Sequence, residues 1–124
     1  MKQKKIPKPT ERELGILRVL WERGPSTVRE VHENLHEDSE TGYTTTLKFL
    51  QIMAEKGLVT RDERKRTHVY EAACSREETQ NQLVSDLVDK AFGGSARSLV
   101  MSALSSKKPT KREIEEIRNL LENL

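Results

Sequence analysis

Residues 43–71 read YTTTLKFLQIMAEKGLVTRDERKRTHVYE, and this segment combines a helical pattern with a strand pattern. Its first half repeats apolar residues at steps of three and four, which predicts a helix over 43–56 that ends at Gly57. The period then changes, because β-rich runs at 58–61 and 67–71 flank a highly charged connection. The stretch therefore predicts a helix followed by a β-hairpin with an exposed, charged tip.

Two further helices are predicted upstream of this stretch. Thr10-Glu11-Arg12-Glu13 is a capping box that starts the first helix, and Gly24-Pro25 ends it. Ser26 is the predicted N-cap of a short second helix. The buried face of this second helix is predicted to hold Val28, Val31 and Leu35. An acidic, turn-rich connection over 37–42 leads to the third helix.

The chain becomes helical again after the hairpin. Ser75-Arg76-Glu77-Glu78 is a second capping box, and the helix that it opens is broken by Gly93-Gly94. A short helix over 95–104 follows, and a third capping box at 110–113 starts the last helix. The fold class is thus mainly α with a small β-hairpin.

Three short helices followed by a hairpin form a winged helix-turn-helix, in which the hairpin is the wing. We expect a winged helix-turn-helix DNA-binding domain over 1–74 and a C-terminal helical dimerisation region over 75–124. In this scheme the recognition helix, 43–56, enters the major groove, and the wing, 58–71, lies on the flanking backbone.

The candidate DNA contacts lie at the start of the recognition helix and at the tip of the wing. Backbone amides point outward at a helix start, and the helix dipole favours a phosphate there. The predicted contact residues are Thr44, Thr45, Thr46, Lys48, Arg64, Lys65 and Arg66. Because backbone contacts carry no sequence information, removal of Arg64 is expected to weaken binding to all sequences alike.

Two plainer interpretations are weighed against DNA binding. A threonine run can be capping chemistry, and a charged hairpin tip can simply be solvated. The alternative function is a winged-helix module that binds protein rather than DNA, since the net charge is only +2. The two candidate features occur together on this element order, which favours double-stranded DNA as the partner.

Composition and motifs exclude several other classes. The 124 residues contain no apolar run long enough for a membrane helix and no apolar segment typical of a secretory signal, so we expect no membrane insertion. A single cysteine is typical of a reducing compartment, so we expect a cytoplasmic protein. Cys74 is the only cysteine and is predicted to be a packing residue. His32 and His36 are expected on a solvated helix face, and His68 in packing or cross-strand pairing. No catalytic, cofactor or metal motif is present, so no enzyme activity is expected.

The C-terminal residues predict a homodimer. Their periodic apolar side chains are too few for a sizeable core in one copy, but two copies would bury them together. The predicted dimerisation residues are Leu83, Leu87, Leu99, Ile114, Ile117, Leu120 and Leu121. The alternative is that this tail folds back on its own winged domain.

An ordered set of motifs resembles the penicillinase-repressor (BlaI/MecI-type) family of bacterial transcriptional regulators. The resembling segments are TERELGIL at 10–17, LW at 20–21, GPSTV at 24–28, GYTTTL at 42–47, MAEKGLV at 53–59 and HVY at 68–70. The resemblance implies a homodimeric repressor that binds a palindromic operator, and an upstream membrane sensor-protease whose signal releases it.

Two departures from the family pattern limit this transfer. Residues 99–103 read LVMSA, where characterised members carry an Asn-Phe bond that is cleaved. Cleavage at Ser102-Ala103 in response to β-lactams is therefore not carried over to this chain. The tail also lacks the paired cysteine motifs of the copper-responsive branch, so copper sensing is not expected.

Overall fold

The computed structural model describes residues 6–35 and 42–124, and the chain divides between Leu83 and Val84 into two compact units. Its helices are α1 (Glu11–Arg23), α2 (Val28–Asn34), α3 (Tyr43–Lys56), α4 (Arg76–Ala91), α5 (Ala96–Ser106) and α6 (Lys111–Glu122). Its strands are β1 (Ser26–Thr27), β2 (Val59–Asp62) and β3 (Val69–Ala72). The strands form one antiparallel sheet in the order β1-β3-β2.

The predicted fold class is confirmed. Helix α3 has the predicted bounds, and it ends because Gly57 adopts the left-handed conformation, with φ of 86°. The hairpin pairs Arg61 with Tyr70 and Val59 with Ala72. Helices α2 and α3 with strands β2 and β3 thus form a winged helix-turn-helix. The acidic connection predicted at 37–42 falls mostly outside the described residues.

The predicted cap of the second helix is wrong by one residue. Thr27 is the N-cap of α2, and its side chain forms a capping box with Glu30. Ser26 is instead buried, pairs with Tyr70 across the sheet, and donates its hydroxyl to the carbonyl of Gly24 at 2.9 Å. A two-residue strand offers no alternation of polar and apolar residues, so sequence periodicity could not show it.

The core of the first unit lies between α1, α2, α3 and the sheet. Its buried members are Ile16, Leu17, Val19, Leu20, Val28, Val31, Leu50, Met53, Leu58, Val59, Tyr70 and Cys74. Cys74 is thus a packing residue, as predicted. Leu35 from the predicted face of α2 is only half-buried, because it lies at the C-terminal end of that helix.

The first turns of α4 pack onto the winged helix-turn-helix. The capping box between Ser75 and Glu78 is present, with both bonds at 3.0 Å. Thr79 is buried and donates to Cys74 Sγ, while Trp21 Nε1 donates to the Cys74 carbonyl. The Gln82 amide donates to the carbonyl of Ile6. The first compact unit therefore continues past residue 74, and the functional division at 74/75 stays a prediction.

Every residue of the second unit, 84–124, is described, and none of them is buried. Ser95 is the N-cap of α5, which runs to Ser106, whereas the predicted helix covered 95–104. A capping box between Thr110 and Glu113 starts α6, as predicted. The caps fix where these helices begin, but the apolar side chains of residues 84–124 form no buried core within this unit. Among the described helices, none is both long and apolar enough to cross a membrane.

Candidate nucleic-acid interface

Helix α3 presents one polar face to solvent. Thr44, Thr45, Lys48 and Gln51 are all exposed on it, while the opposite face enters the core through Leu50 and Met53. The N-cap, Gly42, has no side chain to bond the first amides of the helix. These amides and the dipole of a 14-residue helix favour an anion at this end.

Thr46 does not belong to this exposed face. The residue is 1% exposed, and its hydroxyl lies 2.9 Å from Nδ1 of His32 in α2. The prediction placed Thr46 among the DNA contacts, and the burial of its side chain does not support that placement. Thr46 fastens α2 to α3, so its side chain is not available to DNA.

Tyr43 and Arg29 extend the exposed face onto α2. Tyr43 is 44% exposed, and the Arg29 guanidinium carbon lies 5.7 Å from the centroid of its ring. His32 meets the same ring edge-on at 6.1 Å. His32 is therefore half-buried in a contact between helices rather than on a solvated face, which corrects the prediction. His36 lies outside the described residues.

An open cleft of about 610 Å³ separates α2 and α3 from the wing. The cations that line it are Arg29, Arg61 and Arg66, together with the polar side chains of Thr27, Tyr43, Gln51, Thr67 and His68. His68 is exposed and precedes β3, so it does not take part in the predicted cross-strand pairing. An open cleft lined by cations offers contacts of the kind that a phosphate backbone accepts.

The cations of the wing fall into two classes. Arg61 pairs with Glu63 at 2.8 Å, and Arg64 pairs with Asp62 at 2.8 Å. Lys65 and Arg66 are exposed, and no described carboxylate lies within ion-pair distance of either. Only the second class therefore presents uncompensated positive charge to a ligand.

Hydrogen bonds to Asp62 set its titration. The Arg64 side chain, and after it the Arg64 backbone amide, lower the pKa of this carboxyl to about 2. Asp62 is thus ionised at any pH at which DNA binding is measured. Within residues 6–35 and 42–124, no group of three or more potential metal ligands is placed to hold an ion.

Four of the seven predicted dimerisation residues are exposed apolar side chains. Leu87, Ile114, Leu120 and Leu121 are exposed, and Leu120 reaches 64%. Leu99 and Ile117 are half-buried. Leu83 differs from the others, because it lines a small cleft of the first unit with Leu14, Trp21 and Arg76.

The sequence did not show which residues line the cleft between α2, α3 and the wing. Those that it missed as lining residues are Arg29, Tyr43, Gln51, Arg61 and His68. Gln51 lies on the same helical arc as Thr44 and Lys48, three residues after Lys48, and that spacing is a usable signal. Arg29 gives no such signal, because only the packing of α2 against α3 brings it to Tyr43.

Comparison with known proteins gives a consistent result. The family model described as penicillinase repressor matches residues 9–123. The transcriptional regulator BlaI of Mycobacterium tuberculosis is 32% identical over 98 residues, which are 78% of this chain and 71% of the relative. The penicillinase repressor of Bacillus licheniformis is 24% identical over 119 residues, which cover 96% of this chain and 93% of the relative.

A solved structure shares the fold. The solution structure of monomeric Bacillus licheniformis BlaI in complex with the blaP half-operator is 25% identical and superposes with a TM-score of 0.51. The match covers 61% of this chain and 93% of that chain. Because the family model spans nearly the whole sequence and the fold agrees, the chain belongs to the penicillinase repressor family.

Proposed function

We propose that this chain is a DNA-binding transcriptional repressor that acts as a homodimer on a palindromic operator. One observation carries the proposal: the exposed polar face of α3 borders a basic cleft, in a fold shared with a repressor in complex with half-operator DNA. The relatives are named as repressors and regulators rather than enzymes, which agrees with the prediction that this chain has no enzyme activity.

In the proposed complex α3 enters the major groove with its N-terminus close to a phosphate. Thr44, Thr45 and Lys48 contact the groove from α3, and Lys65 and Arg66 supply charge from the wing. The cleft between them is the path that we assign to one phosphate backbone, with Arg29 on its far side. Thr46 is omitted from the contact set because its hydroxyl bonds His32.

The dimer is proposed from the apolar surface of the second unit. Exposed Leu87, Leu120 and Leu121 give a single copy a hydrophobic surface that water disfavours. A second copy presents the same surface, so a twofold interface would cover both. Such a dimer presents two recognition helices about 34 Å apart, which matches successive major grooves of a palindrome.

Two further parts of the proposal depend on the family alone. We propose a cytoplasmic location, where a repressor meets bacterial DNA. An upstream membrane sensor-protease stays a prediction from the resemblance. In this chain residues 99–103 lie inside α5, and Ser102 and Ala103 replace the cleaved pair, so release by cleavage there is not part of the proposal.

The proposal is tested by selecting genomic fragments on the purified chain at low and at moderate salt. We expect one palindromic site to be recovered, with an affinity that falls steeply as salt rises, because bound phosphates release counterions. Recovery of no fragment above background would refute DNA binding. A pull-down that then captures a partner insensitive to salt would favour the protein-binding winged helix.

A further inference from the structure

Asp62 and Arg64 form an unusually complete contact at the turn of the wing. Arg64 Nε donates to Oδ1 of Asp62 at 3.0 Å, and Nη2 donates to Oδ2 at 2.8 Å. The Arg64 backbone amide also donates to Oδ1, at 3.0 Å. One carboxylate therefore holds both the main chain and the guanidinium of the same residue, in the bidentate geometry that fixes an arginine most firmly.

The held guanidinium still faces solvent. The Arg64 side chain is 89% exposed, so the edge that does not meet Asp62 is free to meet a ligand. A guanidinium has five N–H donors in a rigid fork, and the pair with Asp62 uses one edge of that fork. Arg64 thus presents oriented donors, whereas Lys65 and Arg66 present charge on side chains that no described carboxylate fixes.

We propose that Asp62 is a positioning residue that makes Arg64 a determinant of sequence specificity rather than of general DNA affinity. The pair is neutral, so it adds little to the counterion release that drives binding to any duplex. A held side chain also loses less conformational entropy on binding. This advantage strengthens binding only to a duplex that places an acceptor in the direction in which Asp62 holds the guanidinium. This inference rests on the proposed function and refines it.

The proposal changes the expectation drawn from the sequence for Arg64. Unpaired, this arginine would bind any phosphate and strengthen all complexes alike. Paired, it must leave Asp62 before it can follow a phosphate at another position, and that cost penalises duplexes without a matching acceptor. The ionisation of Asp62, with its pKa at about 2, keeps the pair intact across the neutral range.

A purely structural role for Asp62 can be separated from the proposed one. Asp62→Asn keeps a side-chain oxygen that can accept from the Arg64 amide, and Asn supports this kind of turn as well as Asp does. The substitution removes the carboxylate that fixes the guanidinium. Glu71→Gln is the matched control, because it adds the same charge at an exposed position of β3.

The experiment measures Kd by fluorescence anisotropy over a salt series for both variants and the wild-type chain. The probes are the duplex recovered by genomic selection and a shuffled duplex of equal length and composition. We expect Asp62→Asn to bind the shuffled duplex about threefold to tenfold more tightly, with a salt slope steeper by about one ion per protomer. The preference for the selected duplex should shrink accordingly, while Glu71→Gln leaves that preference unchanged.

The pair itself is checked without DNA by nitrogen-15 NMR of arginine side chains. An Arg64 Nε–H signal protected from exchange in the wild-type chain and lost in Asp62→Asn supports the proposal. Equal behaviour of the two variants on the two duplexes, or an unprotected Arg64 signal in the wild-type chain, would overturn it. Failure of the wild-type chain to bind either duplex would overturn the proposed function, and this inference with it.

Discussion

Lys56 Nζ donates to both carboxylate oxygens of Glu13, at 3.0 and 2.8 Å, and so joins the end of α3 to the start of α1. Glu13 is 1% exposed, and it also accepts from the Thr10 amide as the acidic member of its capping box. One buried carboxylate thus has two roles: it caps α1, and it fixes the C-terminal end of the proposed recognition helix.

Lys56→Met tests this pair through stability. The substitution keeps the aliphatic stem and removes the ammonium, which leaves the Glu13 carboxylate buried with one strong donor fewer. Because the Lys56 side chain is 39% exposed, solvent screens part of the loss, and we expect about 1–2 kcal/mol of destabilisation. Urea denaturation at pH 7 measures it, and Lys48→Met on the exposed face of α3 serves as the control, expected within about 0.5 kcal/mol.

A second prediction concerns the stability of the fold at acid pH. Burial raises the pKa of Glu13, but hydrogen bonds from Lys56 and from the Thr10 amide outweigh it, so the pKa lies below its ordinary value. A carboxyl with a lowered folded-state pKa stabilises the fold above its unfolded pKa, and this stability is lost as pH falls through the folded pKa. We expect stability to decrease below about pH 5, where unfolded glutamate begins to bind protons.

Glu13→Gln tests how much of the loss of stability at acid pH is due to Glu13. The variant should be less stable at neutral pH and should show a shallower loss between about pH 5 and 3. Two of the other capping carboxylates, Glu30 and Glu78, also have lowered pKa values and keep part of the response. Denaturation series at fixed protein concentration measure both chains, and parallel pH curves would show that Glu13 contributes nothing to the acid response.

Local chemistry explains why much of the fold was predictable. Capping boxes at Thr10, Ser75 and Thr110 identify helix starts directly. In each box the hydroxyl of the cap accepts from the amide of the glutamate three residues later, and the glutamate side chain accepts from the amide of the cap. Gly57 names the end of α3 because only glycine adopts its φ of 86° without strain. The change from helical to strand periodicity after this residue located the wing.

Long-range packing explains what the sequence could not show. In the sequence Glu13 looks like any other capping glutamate. Only the folded structure shows that it is buried and bonded to Lys56, 43 residues later. Thr46 resembles its neighbours Thr44 and Thr45, yet one step along a helix turns its hydroxyl inward to His32. Equally, RDER at 61–64 shows a charged turn, but not which carboxylate neutralises which arginine.

Lys48→Glu tests the proposed recognition surface. Lys48 is exposed on α3 one turn after the threonines, so the reversed charge should repel the phosphates that it is proposed to meet. We expect at least a tenfold loss of affinity for the selected duplex and a salt slope reduced by about one ion per protomer. Lys107→Glu, exposed after α5, is the matched control. Unchanged affinity of a folded Lys48→Glu chain would remove Lys48 from the interface.

Thr46→Val and Thr45→Val make the same chemical change on neighbouring residues with opposite expected results. Thr46→Val loses the bond to His32 and leaves the ring nitrogen of this half-buried residue without its partner, which should cost about 1 kcal/mol of stability. Thr45→Val alters an exposed position, so stability should hold while DNA affinity falls. Thermal denaturation and anisotropy measure the two effects. A stability loss from Thr45→Val alone would contradict the assignment of the two hydroxyls.

Leu120→Asp tests the proposed dimer. Leu120 is exposed on α6 beside Ile117 and Leu121, and a carboxylate there would have to be buried at the interface between two copies, which is costly without a partner. We expect monomers in sedimentation velocity at concentrations where the wild-type chain is dimeric, with an unchanged helix content by circular dichroism.

The matched control for the dimer is Asn119→Asp, which adds the same charge on the opposite face of α6, where it should leave the dimer intact. Leu120→Asp monomers should also bind the selected duplex weakly, because a half-site alone supplies only one set of contacts and the second becomes effectively intramolecular only in the dimer. A wild-type chain that sediments as a monomer, or a Leu120→Asp chain that stays dimeric, would show that the apolar surface of α6 serves another purpose.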